Sequence, residues 1–329
     1  LNNTRQLVES AFLAAITAVL VILSVYFPPL AIVVDFVTPI PIAVLVVRHS
    51  TKAGILAIGV AAILPLLTMA DPISVFTVLF KTGPLGLVYG YFIKRNLKPT
   101  LTVAAGMVAG TLGTVITWGI TFFLTKINPF AIGRNMEEAG KQVLEFYYKT
   151  GLIKPGTEQA KMLADTFAQM PKIAELLFPG AILISSLIFA YLTFILTKKL
   201  LSRLGYSYPD LPPFRFWRMP LWLLLVMAVG VLMFSGFPKY PVISRIGFNL
   251  MYITGFLFFI SGLSITVFAF KNQILPPLWR TFLIVFGILY PPMAMWFILV
   301  LGISDTLFDF RKKWESGRVN DESNTTDRS

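Results

Sequence analysis

The chain has 329 residues, of which 56% are hydrophobic and only 13% charged, with a mean hydropathy of +0.75. That composition excludes a soluble domain with an ordinary polar surface and implies a multi-pass membrane protein. The formal net charge of +12 does not imply nucleic acid, because the 28 lysines and arginines sit mainly in short loops between apolar runs, as a topology signal does.

Taken in chain order, Arg5 precedes an apolar run at 8–27 that reads as a retained first helix, since no small-x-small cleavage site follows it. Ala11 and Ala15, with Ala14 and Ala18, make a double small-residue stripe along that helix, the kind of face that lets a second helix approach closely. The next run, 28–47, contains Asp35, Pro39 and Pro41. Thr38 and Pro39 are predicted as N-cap and first helical residue, with 28–37 irregular and forming the lip of a cavity. His49, in Arg48-His49-Ser50-Thr51-Lys52, reads as a solvated loop histidine. With no cysteine and this single histidine, disulfides, thiolate metal sites and histidine clusters are excluded.

After the run at 53–70, Asp71-Pro72 is predicted to cap a helix at 73–93, ~30 Å long and enough to span a bilayer. It carries Lys81, Gly83-Pro84, Gly86 and Gly90. Lys81 lies roughly 12 Å from the near end, too deep to snorkel out, and a charge there costs roughly 2.5 to 3.5 kcal/mol. It therefore needs a counter-ion, water or a ligand, which makes it the leading candidate site residue; Asp35 reads as its counter-ion, as the holder of an ammonium or metal cation, or as a wet loop carboxylate, and Thr38 is a further ligand-binding candidate. Further runs fall at 100–124, 175–196, 221–237, 246–270 and 281–303. Between 125 and 173 lies a polar insert predicted as two amphipathic helices, the first capped by Asn135 and ending near Gly151, the second following Pro155-Gly156 and stopping at Pro171.

The positive-inside rule places the N-terminus in the cytoplasm of a cell with a plasma membrane location, the insert outside, and Arg48, Lys52, Lys94, Arg95, Lys98, Lys198, Lys199, Arg203, Arg215 and Arg218 inside. Three further single crossings would put Arg311, Lys312 and Lys313 outside, against the rule. Either Pro291-Pro292 breaks the last run into a partial re-entry or one of the last runs does not cross. The stretch 315–329 is polar and is predicted to be disordered.

Catalytic patterns are lacking. Glu137-Glu138 has no accompanying histidines, Gly302-Ile-Ser304-Asp305 lacks the second glycine and base of a nucleophile elbow, and there is no phosphate-cradling loop. No enzyme, metal or cofactor is expected, and any ATP-driven motor is a separate protein.

The ending Gly302-Ile-Ser-Asp305-Thr-Leu-Phe308-Asp309-Phe310-Arg311-Lys312 resembles that of the YybS-like family of uncharacterised bacterial membrane proteins, as do Leu211-Pro-Pro-Phe214 and Trp217-Arg218-Met-Pro220. The first six segments are also similar to the substrate-binding S components of energy-coupling-factor vitamin transporters, whose first helix contacts a membrane coupling subunit through an alanine-xxx-alanine face. That resemblance implies the same role for Ala11, Ala14, Ala15 and Ala18, although the insert and the segments after Arg218 depart from the S-component pattern.

The expectation is an all-α polytopic bundle of eight to nine segments: a six-helix S-component-like domain over 1–204 with its insert at 125–173, further membrane helices over 205–314, and the tail. Its expected function is binding a small, anionic solute near Lys81 and Asp35 for transport, in partnership with a coupling subunit and ATPase. The competing function is a membrane scaffold or regulatory protein acting through helix contacts. The two are discriminated at Lys81, where a polar cavity favours binding and a dry pair with Asp35 favours the scaffold.

Overall fold

The computed structural model describes residues 2–69, 71–126 and 132–314, and among these every regular element is helical. Among the described residues, eight helical stretches are long and apolar enough to span a membrane. The tail at 315–329 lies outside the described residues. The chain divides into two compact units, Leu1–Leu211 and Pro212–Ser329.

The first unit is built around α3 (Ile40–Arg48), in which every residue from Ile40 to Val47 is buried. One side of it joins a core with Leu85 and Tyr89 of α6 (Gly83–Lys94), Val103 of α7 (Pro99–Thr125) and Phe194 of α9 (Glu158–Arg203). Ile42 and Leu45 join a second core with Ala14 of α1 (Asn2–Tyr26) and Ala53, Ala57 and Ala61 of α4 (Thr51–Met69). The small-residue spacing is what permits this density: a Cβ on Gly86 would sit 2.6 Å from the Pro39 carbonyl oxygen, and one on Gly90 2.8 Å from that of Ala43.

Several local expectations change. The 28–37 stretch is not irregular; it forms α2 (Pro28–Val37), because Pro28 and Pro29 occupy its first turn, where a missing N–H costs nothing. Thr38 consequently closes α2 instead of capping α3, and its hydroxyl donates to the Val34 carbonyl (2.8 Å). The break falls here because Pro39 and Pro41 cannot donate to the carbonyls one turn back. The second insert helix does not stop at Pro171: α9 runs through Pro171 and Pro179 for 46 residues, about 69 Å, far beyond the thickness of the hydrocarbon layer. Its first turns pair with α8 (Ile132–Lys149), which begins ahead of Asn135, and Gly140 sits against Phe167. His49 is not a solvated loop residue; its Nε2 lies 2.9 Å from Glu9, which also binds Arg48.

The second unit centres on α11 (Pro241–Lys271). Gly247 packs on Gly230 of α10 (Trp222–Gly236), and Gly262 meets Gly302 of α13 (Pro291–Phe308) so closely that a Cβ on either would collide with the partner backbone. The run at 281–303 is not one crossing. Proline at 291 and 292 breaks it, leaving α12 (Pro277–Leu289), at about 20 Å too short to span, and α13. Phe268 stacks near Trp314 and meets Phe216 edge-on, so the end of α11, the loop before α10 and the end of α13 share one end of this unit. Since α12 leaves that end and α13 returns to it, the hairpin keeps Arg311, Lys312 and Lys313 beside Arg215 and Arg218. The break expected at Pro291-Pro292 is thus present, and α10 and α12 are both shorter than the candidate spans.

Candidate solute site and a second charged centre

Asp71 caps the Lys81 segment as its sequence suggests, accepting from the Ile73 and Ser74 backbone. The helix then widens: α5 (Pro72–Phe76) passes into a π-helix, Thr77–Thr82, before α6 resumes at Gly83. Pro84 explains the widening, since its ring would clash with the Phe80 carbonyl one turn back and it has no N–H to offer. The Gly83 amide reaches back five residues to Val78 instead. The displaced Phe80 carbonyl and the Lys81 Cα press on Gly113 of α7, where any Cβ would collide. Such π-turns inside α-helices recur at functional sites.

The structure brings Lys81 and Asp35 together, Nζ to Oδ2 at 3.6 Å, beyond hydrogen-bond reach. Their side chains are 26% and 43% exposed. The ammonium also lies 5.0 Å from the centre of the Phe189 ring, which packs on Phe36 beside Asp35. One turn from Gly113 along α7, Gly110 is buried, yet a Cβ there would meet nothing within 4 Å. A side chain added at Gly110 would therefore meet no neighbour, one turn along α7 from the residue that Lys81 presses on. Thr117, buried on the same face of α7, has a hydroxyl without a hydrogen-bond partner. Thr38 is 2% exposed, close in sequence to Asp35 but turned into the packing.

The alanine stripe splits. Ala14 and Ala18 are each 1% exposed, so they pack inside the fold and cannot serve as the partner face expected of them. Ala11 and Ala15 remain exposed.

A second charged centre was passed over in the sequence. Asp305, fully buried in α13, lies 3.0 Å from Arg311 Nε and 3.8 Å from Arg218. Arg311 is itself buried, and its terminal nitrogens donate to the carbonyls of Arg215 (2.6 Å), Trp217 (3.1 Å) and Ser261 (3.4 Å) and to Ser264 Oγ (3.1 Å). Ser264 in turn donates to the Phe214 carbonyl (2.6 Å). Arg218 bridges outward to Asp309 at 2.5 Å. One signal pointed here: an aspartate inside an apolar helix demands a partner, and an arginine follows six residues on.

The two stretches that carry the YybS-like resemblance, 211–220 and 302–312, meet in this network. Compared with known proteins, the chain is 28% identical over 319 residues to the Bacillus subtilis (strain 168) "Uncharacterized protein YybS", an alignment covering 95% of this chain and 99% of that one. No solved structure matches, so the likeness to S components rests on the first-helix stripe and the six segments alone. The family described as predicted membrane protein DUF2232 matches residues 15–306. A match over that span, nearly the whole chain from within α1 to the end of α13, makes this protein a member of the DUF2232 family of integral membrane proteins.

Proposed function

We propose that the protein is a solute-binding subunit of a membrane transport system, with no motor of its own, and that it takes a small anionic solute beside Lys81. The observation that carries this reading is the incomplete Lys81–Asp35 pair: an intramembrane ammonium at 3.6 Å from its counter-ion, partly exposed, on a π-turn that presses on Gly113, one turn along α7 from the open position at Gly110. A deep ammonium held this loosely keeps donors for an anionic group, and the Phe189 face supports the cation without neutralising it. The loose, partly exposed geometry of the pair supports the binding reading over the scaffold. Untargeted mass spectrometry of small molecules released from purified protein tests this. An anionic compound retained by the wild type and lost from Lys81→Met is expected; identical release from both ends the assignment.

The exposed Ala11 and Ala15 face supports docking of a membrane coupling subunit, which would bring an ATPase with it. Replacing both with Leu is expected to abolish co-purification of that partner while insertion is unaffected. Unchanged co-purification removes the stripe from the argument. The basic loops support a plasma-membrane protein with a cytoplasmic N-terminus. A cysteine introduced at Lys94 should then resist labelling from outside the cell, and labelling only from outside overturns the orientation.

A further inference from the structure

We propose that the cleft between α11, α12 and α13 is a slot for an acyl chain of an anionic phospholipid drawn from the surrounding bilayer. The cleft has a volume of about 440 Å³, within the range of ~300–1,000 Å³ typical of ligand sites. Its walls are almost wholly apolar, among them Ile265 and Ala269 of α11, Leu283 and Phe286 of α12, and Ala294 and Leu301 of α13. α12 is apolar on its outer side too, with Leu278, Phe282 and Ile288 exposed. A helix too short to span, apolar on both faces and standing off its neighbours, needs hydrocarbon on the inside as well as the outside.

Charge decides which hydrocarbon. Phe270, Trp279 and Trp314 line the cleft, and Lys271, Arg280 and Lys312 lie within two residues of them. Lys271 and Lys312 are exposed, and Arg280 is held by donation from its Nε to the Leu275 carbonyl (2.8 Å). Tryptophan marks the headgroup level of a bilayer, and clustered lysine and arginine there attract anionic headgroups. A neutral quinone or sterol has no use for these cations. A phospholipid with its chain in the slot and its phosphate among them uses both features.

The test places the full chain in phosphatidylcholine bilayers containing a small fraction of lipid with brominated acyl chains, which quench nearby tryptophan. The Trp279 contribution is isolated by difference from Trp279→Phe. Brominated phosphatidylglycerol is expected to quench Trp279 severalfold more than brominated phosphatidylcholine at the same fraction. The excess should fall about fivefold for each of Lys271→Gln and Lys312→Gln, since a lysine near the surface is worth about one such factor. Gly287→Phe, whose ring would enter the cleft where only the Ala294 Cβ comes within 4 Å, should abolish it. If that variant fails to fold, the lysine variants decide alone. Equal quenching by both lipids, or an excess that survives loss of both lysines, overturns the proposal.

Discussion

Lys81 with Asp35 and Arg311 with Asp305 are two pairs of opposite charge among the described residues, and they are built differently. Arg311 and Asp305 are almost completely buried at 3.0 Å, and each terminal nitrogen of Arg311 has acceptors on the 211–220 loop or α11. Lys81 and Asp35 stand 3.6 Å apart, partly exposed, with an aromatic face as the other neighbour of the ammonium. A guanidinium offers a planar fork that fixed carbonyls can satisfy; an ammonium is a point charge on a flexible stem. In the first pair the terminal nitrogens of Arg311 tie distant segments together, while the Asp305 oxygens and Arg311 Nε are buried without a hydrogen bond and are held by charge alone. In the second the ammonium stands beyond hydrogen-bond reach of its counter-ion and is partly exposed, as the proposed binding role requires.

Breaking the buried pair gives the largest expected effect. Arg311→Met leaves the buried Asp305 carboxylate with Arg218 alone, at 3.8 Å, and frees three backbone carbonyls of their donor, and removing one partner of a buried pair costs about 3–5 kcal/mol. A clear fall in melting temperature in detergent should accompany rapid proteolysis within the 211–220 loop. Arg311→Lys should recover only part of this, since it restores the charge without the fork. Wild-type melting for Arg311→Met would mean that the network does not hold the loop.

The same operation on the other pair should behave differently. Lys81→Met removes a loosely paired charge from an apolar segment, so stability should hold or rise. Affinity for the retained solute should fall roughly ten- to a hundredfold, the value of a charge-assisted hydrogen bond. The double variant with Asp35→Asn decides between the readings. A Lys81→Met protein as unstable as Arg311→Met, rescued by Asp35→Asn with no change in bound solute, would make both pairs structural and end the contrast.

What the sequence disclosed follows the range of the physics. Helix content and the spans were legible because hydropathy over some twenty residues needs no tertiary information. Lys81 and Asp35 stood out because a charge in an apolar run is expensive wherever its partner lies. The π-turn was not legible, although Pro84 causes it, because proline allows a kink, a break or a widened turn, and contact with Gly113 selects among them. The roles of the two alanine pairs were equally hidden: a stripe has the same spacing whether it faces α4 or lipid. The Arg311 network needed residues nearly a hundred positions apart, so its halves were visible only as two resemblances.

The smallest expected effect lies at the rim of the buried network. Arg218 donates to Asp309 and holds that carboxyl below its ordinary value, with a further contribution from the Lys312 amide. A carboxyl whose folded pKa is depressed stabilises the fold above its unfolded pKa, about 3.9, and the contribution is lost as pH falls through the lower folded value. Asp309 also adopts a left-handed backbone (φ 51°), which asparagine tolerates equally well, so Asp309→Asn removes the charge without straining the turn. The variant should melt slightly below wild type at pH 7, and the gap should close as the pH drops below about 4. Because Asp309 is half-exposed, the gap should also shrink with added salt, whereas the Arg311→Met deficit should not. A gap that persists in acid would assign Asp309 to turn geometry and leave Arg311 and Asp305 to hold the loop without it.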